Sequence, residues 1–276
     1  MTRILSLDHL TVFELTPPQL VATAAAAGFR YVGVRLNPVA PGEHQHPMLG
    51  NAPMLRETLA RMHDTGVKVF DIGVFLLKKD TDVERFAPVL ESGAKLGAKH
   101  ALVCVSERDD TVMAQMFGRL CDLGRQYGVA MDLEFVPWTG VKTIDEAARI
   151  VRMAARPNAY VLIDTIHVDR SGAGARELGA ISPPLIAYAQ VCDAIGPRPT
   201  DYETMTYQAR NERAFPGEGD LDLVAMVGAL PRDIPLSLEC PTKLSATLSA
   251  LERAKRGRAT IESLLEQVAV IDAVQT

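Results

Sequence analysis

The sequence has little cysteine and few aromatic side chains for its length. Only four cysteines and one tryptophan occur among 276 residues, and aromatic residues make up 5%. No two cysteines form a Cys-x-x-Cys pair, so neither a zinc finger nor a disulfide framework has the spacing that it requires. We therefore expect a cytoplasmic protein with reduced thiols at Cys104, Cys121, Cys192 and Cys240.

Long apolar runs and an excess of positive charge are also missing. No stretch reaches the roughly 18 apolar residues that a membrane-spanning helix needs. The first ten residues, MTRILSLDHL, are too polar for the apolar part of a signal peptide. A net charge of −5 argues against nucleic acid, because phosphate binding requires a basic face. We expect neither a membrane nor a nucleic-acid partner.

What the sequence does contain is a rhythm of short apolar, β-branched segments, each followed by a helical pattern. Nearly continuous apolar character is typical of parallel strands that are covered on both faces. Capping residues followed by proline open the first two helices, at 16–18 and 51–53. A short helix is predicted near 174–181 and a long one near 245–268. The predicted strands are 4–10, 31–36, 67–75, 100–105, 129–136, 159–164, 185–193 and 235–240.

Eight strand–helix units in a chain of this length predict an α/β fold, a single-domain (β/α)8 TIM barrel over residues 1–276. A doubly wound open sheet is the alternative. It would normally carry a glycine-rich phosphate loop after an early strand, and the first turn, HLTVFELTPP, has no glycine. No linker or low-complexity segment divides the chain, so we expect one domain.

Polar residues interrupt the last four predicted strands near their C-terminal ends. Glu134, Asp164, Gln190 and Glu239 each stand among apolar neighbours, in DLEFV, VLIDTI, YAQVC and LSLEC. One such residue alone would more often cap a helix, pair with arginine or face solvent. Four at equivalent positions meet at the C-terminal mouth of a barrel, where the chemistry of this fold takes place.

This convergence predicts a metal site. Three carboxylates in one mouth would repel one another unless a cation lay between them. Oxygen donors in that number favour Mg²⁺ or Mn²⁺, with zinc or cobalt as the alternatives. We therefore predict that Glu134, Asp164, Gln190 and Glu239 bind a divalent cation.

These residues resemble those of the xylose isomerase-like TIM-barrel superfamily, the sugar phosphate isomerase/epimerase group. The resemblance covers nearly the whole chain. It rests on AAAAGFRYVGVR near the N-terminus, the glutamate of strand five, the Asp-x-x-His of IDTIH, PGEGDLDL at 216–223 and the glutamate of LSLEC. A DNA-repair branch of the same fold uses several histidines for zinc. The six histidines and acidic balance of this chain do not favour that branch.

The resemblance implies a metal bound by residues of strands five to eight, which match the four already named. The strand-seven ligand of the family is commonly histidine and here is Gln190, which exchanges a nitrogen donor for an amide oxygen. The histidine of Asp-x-x-His touches substrate in such enzymes, and His167 matches it. His167 can reach the mouth only if its strand has ended, and the loop-like VDRSGAG that follows allows this.

Further substrate contacts are expected from loops around the mouth. Arg35 ends the second predicted strand, and Trp138 follows Glu134 by four residues. Arg198 lies in a long segment after strand seven that also holds Arg210 and Arg213, and any of these could bind a carboxylate or phosphate. The alternative is a packed side chain for Arg35 and Trp138 and a solvated one for the arginines of the long segment, which is the commoner state of a single loop arginine. We name His167, Arg35, Trp138 and Arg198 as candidate substrate-binding residues.

The predicted function is a metal-dependent isomerase or epimerase of a small sugar, polyol or hydroxy-keto acid. The metal would polarise the substrate oxygens and stabilise an enediolate, and Glu134 and Glu239 would exchange the proton. Expulsion of a β-hydroxyl from the same enolate would make the protein an inosose- or dehydroshikimate-type dehydratase. A barrel that binds a metabolite without turning it over is the third alternative. The partner is a small molecule in each case, and a homo-oligomer is compatible with the sequence.

Overall fold

The computed structural model describes residues 3–39 and 42–275. In it, the first and last strands of the chain pair with each other and close a barrel of eight parallel strands. The barrel strands are β1 (Leu5–Asp8), β2 (Tyr31–Arg35), β3 (Lys68–Leu77), β4 (His100–Val105), β5 (Ala130–Glu134), β6 (Ala159–Asp164), β7 (Ile186–Val191) and β10 (Leu236–Leu238). Two short strands, β8 (Asp193–Ala194) and β9 (Arg213–Ala214), form a separate antiparallel pair.

Helices connect the strands on the outside of the barrel. They are α1 (Pro17–Ala26), α2 (Pro53–Thr65), α3 (Ala87–Lys95), α4 (Asp110–Gln126), α5 (Ile144–Ala154), α6 (Thr165–Arg170), α7 (Ala175–Ala180), α8 (Tyr202–Asn211), α9 (Leu223–Gly228) and α10 (Ala250–Gln275). The predicted (β/α)8 architecture is confirmed. None of the helices in the described ranges has the length and apolar character of a membrane-crossing segment.

Local signals explain where several helices begin. At the start of α1 the Thr16 amide donates to Gln19 Oε1 at 2.9 Å, which is one half of a capping box, and two prolines occupy the first turn. Thr143 and Glu146 form a complete capping box at the start of α5. Helix α2 ends at Gly66, whose φ of 73° is the left-handed conformation that glycine adopts at little cost.

Two segments differ from the sequence prediction. Residues 168–170 were expected in a loop, but they complete α6, which begins directly after β6. The Asp164 carboxylate accepts a hydrogen bond from the Ile166 amide at 3.1 Å and so caps this helix from the strand end. The long segment after β7 is likewise not a plain loop, because it contains β8, α8 and β9.

A threonine hydroxyl joins the two ends of the barrel sheet. Leu5 lies opposite Leu236 in the register of β1 and β10. Beyond these strands, the Thr11 hydroxyl donates to the Leu238 carbonyl at 2.8 Å and accepts from the Cys240 amide at 2.9 Å. The backbone on both sides of Glu239 is thereby fixed.

The barrel interior is more polar than a filled hydrophobic core. Its apolar cluster consists of Phe70, Val74, Leu102, Leu162 and Tyr188. Buried polar residues surround that cluster on several strands, and they include Ser6, Asp71, Asp132, Gln190 and Ser237. The larger apolar core lies between the strands and the outer helices.

Gly33 makes room for two of the interior carboxyls. A Cβ atom at this position would come within 2.4 Å of Asp71 Oδ1 and 2.8 Å of Asp8 Oδ2. No side chain fits there without displacing both acids. A glycine on β2 is therefore a condition of the polar interior.

Candidate active site

Three acids stand at the C-terminal mouth of the barrel, as the strand ends predict. Glu134 is the last residue of β5, Asp164 is the last residue of β6, and Glu239 directly follows β10. All three are buried, with 5%, 0% and 4% of their surface exposed. Carboxylates buried so deeply are costly unless a counter-charge accompanies them.

His167 joins two of these acids. Because α6 starts immediately after Asp164, its first turn carries the imidazole back over the mouth. The Nε2 atom lies 3.7 Å from Glu134 Oε1 and 3.6 Å from Asp164 Oδ2. Burial lowers the pKa of His167 to about 3, so the imidazole is neutral and has a lone pair to offer.

Arg213 provides a positive charge beside two of the acids, Asp164 and Glu239. Its Nη1 atom lies 2.8 Å from Asp164 Oδ2 and 2.9 Å from Glu239 Oε2, and it also donates to the Glu239 carbonyl at 3.0 Å. Its Nε atom donates to the Ala209 carbonyl at 2.7 Å. Arg213 is buried. The sequence placed it in a segment with two other arginines and gave no means of choosing it.

A small hairpin positions this arginine. Arg213 lies opposite Ala194 in the pairing of β8 with β9. The buried Asp193 carboxylate accepts from the amides of Gly217 and Leu221, both at 3.0 Å, and so holds the PGEG turn that follows β9. The PGEGDLDL segment therefore helps to fix Arg213 in place.

The acids of the mouth raise one another's proton affinity. Burial, and then the charges of Glu239 and Asp164, raise the pKa of the Glu134 carboxyl well above its usual range. Burial also raises the pKa of Asp164 and of Glu239, although Arg213 acts in the opposite direction on both. When the three acids and Arg213 are all ionised, the cluster has two more negative charges than positive ones. A divalent cation would balance them.

The donor atoms fit such a cation. Glu134, Asp164 and His167 each offer one ligand atom, and these atoms lie within 4.8 Å of one another. Bonds of roughly 2.0–2.2 Å place neighbouring ligand atoms about 3–3.5 Å apart, slightly less than the 3.6 and 3.7 Å that separate His167 Nε2 from Asp164 and Glu134. The His167 Nδ1 atom is buried and has no hydrogen-bond partner among the described residues.

Gln190 is the second neutral candidate. It is fully buried and lies opposite Asp164 in the register of β6 and β7. Within the described ranges, neither its Oε1 nor its Nε2 atom has a hydrogen-bond partner. A buried amide without hydrogen-bond partners is unusual in folded proteins and indicates that a ligand binds it. The sequence predicts Gln190 as a ligand and His167 as a substrate contact, whereas the structure brings the His167 imidazole to Glu134 and Asp164 as a possible ligand.

A cavity of about 410 Å³ opens above the acids, a size suited to a small metabolite. Glu134, His167, Arg213 and Glu239 form its floor. Apolar side chains make up much of the rest of its wall, including Leu10, Phe13, Val74, Leu76, Leu102 and Val136. The cavity thus combines a charged floor with apolar sides.

Besides His167, two of the predicted substrate contacts line this cavity. Arg35 lies at its edge, and its Nε atom is 3.0 Å from Glu43 Oε1. The Trp138 ring packs edge-on against the His167 imidazole, with 5.2 Å between the ring centroids. Arg35 and Trp138 are therefore placed where a substrate would contact them.

Arg198 is not brought to the site. It is not among the residues that line the cavity, and its Nη2 atom lies 3.2 Å from Asp169 Oδ1. This pairing arises because α6, which was not predicted, presents Asp169 to it. Arg210 lines the cavity instead and forms no hydrogen bond or ion pair with any described residue. The sequence alone does not distinguish Arg210 from the other arginines of its segment.

A thiol also contacts the acid cluster. The Cys104 Sγ atom on β4 donates to Glu134 Oε2 at 3.2 Å and lines the cavity. Burial and the nearby Glu134 charge raise the pKa of this thiol well above its usual value, so it stays protonated. Its hydrogen bond occupies one oxygen of Glu134 and leaves the other facing His167.

The sequence matches a family described as xylose isomerase-like TIM barrel over residues 21–265. No curated protein sequence matches it significantly. Solved structures with the same fold are numerous. One is an IOLI protein with a bound zinc atom, at 20% identity and a TM-score of 0.81, with 96% of this chain and 98% of that chain covered.

Two further structures illustrate the range of relatives. A fusion of a xylose isomerase-like barrel with 4-hydroxyphenylpyruvate dioxygenase matches at 19% identity and a TM-score of 0.83, covering all of this chain and 44% of that one. A D-allulose 3-epimerase from Methylomonas sp. matches at 17% identity and a TM-score of 0.70, covering 95% of this chain and 98% of that one. At these identities the similarity establishes the fold.

Proposed function

Because the chain belongs to the xylose isomerase-like TIM barrel family, we propose that it is a divalent-metal-dependent isomerase or epimerase of a small hydroxylated carbonyl compound. One observation carries this proposal. Glu134, His167 and Glu239 meet with a single arginine on the floor of the cavity, and Asp164 lies against His167 and that arginine. Their negative charge exceeds what Arg213 supplies.

Glu134, Asp164 and Glu239 would hold the metal, with His167 or Gln190 as the neutral ligand. A divalent cation bound there supplies Lewis acidity toward neighbouring carbonyl and hydroxyl oxygens of a substrate. Three carboxylates favour Mn²⁺ or Mg²⁺, whereas an imidazole ligand would shift the preference toward zinc or cobalt. The zinc in the IOLI protein is compatible with the second arrangement.

The residues of the chain itself would move the proton. Glu134 lies at the cavity floor, so it can take a proton from a carbon next to a carbonyl group. Glu239 follows β10, which β6 and β7 separate from β5 in the barrel. It can therefore return a proton from a different side of the cavity floor. Apolar walls and Trp138 exclude water from the enediolate formed between the two transfers.

The free arginine of the cavity indicates the class of substrate. Arg210 forms no ion pair among the described residues, and it faces the same cavity as the acids. Guanidinium groups bind carboxylates in bidentate fashion. Of the substrates considered, a hydroxy-keto acid would place its carboxylate on Arg210 and its vicinal oxygens over the acid cluster.

A dehydratase is the second candidate, and one feature favours it. Arg213 holds Glu239 at 2.9 Å, which reduces its tendency to accept a proton. Glu134, by contrast, has no arginine within ion-pair distance among the described residues. It could take the proton from carbon and return it to a β-hydroxyl that leaves as water from the same face.

Metal analysis of the purified protein tests the shared premise. We expect about one divalent cation per chain, removable by chelation and restored by Mn²⁺. A protein that contains no cation and gains none would overturn both candidates. The variant Glu203→Gln removes an exposed carboxylate on α8, away from the acid cluster. It serves as a control and should retain the metal.

Turnover in deuterated water then separates the two reactions. Isomerisation or epimerisation introduces deuterium at the carbon that loses its proton, and the product has the same composition as the substrate. Dehydration yields a product that lacks one water. Hydroxy-keto acids and neutral sugars should be tested side by side, and the first group should be preferred if Arg210 acts as proposed.

A further inference from the structure

A second pocket of about 370 Å³ lies beside the candidate active site. The loop after β2 contributes Asn37 and Gln45, and the segment between β3 and α3 contributes Lys78, Thr81 and Arg85. The residues of this pocket take no part in the proposed proton transfers or in the metal site. We propose that it is an anion site, which binds a phosphate or carboxylate group.

The charge of the pocket is of one sign. Lys78 and Arg85 both line it, and no carboxylate is present among the described residues of its wall. The Lys78 ammonium forms no ion pair within the described ranges, and Arg85 lies over the Phe86 ring, 5.0 Å from its centroid. Both cations are therefore available to a ligand. This differs from the neighbouring cavity, whose floor is acidic.

Neutral donors complete the pocket. The Asn37 Nδ2 atom is buried and has no hydrogen-bond partner in the described part of the chain. The Thr81 hydroxyl accepts from the Lys78 amide at 2.8 Å, so its own hydrogen remains free to be donated. Two cations, an amide and a hydroxyl are the donors that an oxyanion requires.

The nearby acids are engaged elsewhere or do not line the pocket. Asp82 follows Thr81 in sequence, but its Oδ1 atom accepts from the Glu84 amide at 3.2 Å, at the start of a short helix. Glu43 is paired with Arg35 in the neighbouring cavity. No described carboxylate of the wall therefore competes with an incoming anion.

The two pockets share a thin apolar wall. Val39, Val74 and Leu76 line both of them. An anion bound beside Lys78 would consequently lie one layer of side chains from the candidate active site. It could be a second acidic group of a longer substrate or a separate anionic metabolite, and the chemistry of recognition is the same.

Binding of inorganic phosphate to chelator-treated protein tests this inference. Removal of metal prevents phosphate from binding to a cation at the acid cluster, and a variant of the pocket separates this site from Arg210 in the neighbouring cavity, so the result does not depend on the proposed function. We expect saturable binding by calorimetry and broadening of the phosphorus resonance of phosphate. The double variant Lys78→Met/Arg85→Met should bind at least about tenfold more weakly.

Lys79→Met is the matched control, because Lys79 is an exposed neighbour that does not line the pocket. This variant should bind phosphate as the unaltered chain does. Absence of saturable binding to the unaltered chain, or equal binding by the double variant, would overturn the proposal. Circular dichroism establishes that the exposed substitutions leave the fold intact.

Once a substrate is known, steady-state kinetics identify the source of the anion. If the site holds part of the substrate, phosphate should compete and raise KM, and the double variant should no longer show this inhibition. If it holds a separate metabolite, phosphate should change kcat or have no kinetic effect while still binding. Either result retains the anion site.

Discussion

Two clusters of buried acids lie inside the same barrel and are treated in opposite ways. Deeper in the interior, Tyr188 donates to Asp71 at 3.1 Å and the His100 Nδ1 atom lies 3.1 Å from Asp132 Oδ2, so each acid has its own partner. At the mouth, three acids share one arginine. Similar side chains thus have one partner each at one level, although Asp71 Oδ1 has no hydrogen bond among the described residues, and share a single counter-charge at the other. The deficit of positive charge at the mouth is what identifies a ligand site.

The largest expected effect is the loss of turnover when Glu134 is replaced, and Asp132 on the same strand is the comparison. Glu134 and Asp132 are two residues apart on β5, and both are buried. Glu134→Gln removes a metal ligand and the proton acceptor, so we expect turnover to fall about a thousandfold or more. Asp132→Asn keeps an acceptor for His100 and should change turnover only a few-fold.

Turnover and Mn²⁺ affinity of both variants measure this contrast. Equal losses in the two variants would show that the interior network takes part in the chemistry. Such a result would remove the distinction between the clusters.

The next effect concerns the shared arginine. Arg213→Met leaves Asp164 and Glu239 buried without a counter-charge, and we expect about 3–5 kcal/mol of destabilisation in metal-free protein. Urea unfolding with and without Mn²⁺ measures it, and the cation should recover part of the loss. Arg256→Met is the control, because Arg256 pairs with Glu218 in a half-exposed site and should cost about 1 kcal/mol or less.

A smaller effect is the pH dependence of the interior. Burial raises the pKa of Asp71 to about 7, although the Tyr188 hydroxyl acts against the shift. Between about pH 4 and 7 the folded state therefore holds a proton that the unfolded state has lost. This acid makes the protein less stable as pH rises through that range, by up to about 1.4 kcal/mol per pH unit.

Asp71→Asn should remove that contribution and retain an acceptor for Tyr188. Chemical denaturation of both proteins at several pH values between 4 and 7 measures the difference. Parallel curves for the two proteins would mean that Asp71 is already ionised in the folded state.

The smallest expected effect is at Cys104, which donates to Glu134. Cys104→Ala frees an oxygen of the acid, and we expect Mn²⁺ affinity to change by about 1 kcal/mol or less. Cys104→Ser keeps a donor and should restore the original affinity. Cys121→Ala removes a buried thiol on α4, away from the mouth, and should leave Mn²⁺ affinity unchanged.

The fold and much of the mouth could be predicted from the sequence because both depend on local patterns. Apolar segments and helix caps identified the eight strand–helix units. Glu134, Asp164 and Glu239 follow from the rule that barrel chemistry lies at strand ends. Once the barrel is recognised, their convergence needs no knowledge of side-chain packing.

Arg213 and Arg198 could not be sorted in this way. Arg213 reaches the acids because β8 and β9 pair, and two-residue strands carry no distinct sequence signal. Arg198 pairs with Asp169 instead. Asp169 comes near it because it lies on α6, a helix that the sequence does not predict. Long side chains on a long segment can reach many places, and tertiary contacts decide among them.

The contacts of Thr11 have a consequence for the order in which the chain folds. Most neighbouring strands of the barrel follow one another closely in sequence, but Thr11 meets partners 227 and 229 residues away. Contacts between such distant residues form slowly, because a long loop must close first. Glu134, Asp164 and Arg213 all lie between residues 134 and 213 and do not depend on that closure, whereas the backbone on both sides of Glu239 does. We therefore expect Glu134, Asp164 and Arg213 to gather before the seam between the first and last strands is sealed, and Glu239 to join them when it closes.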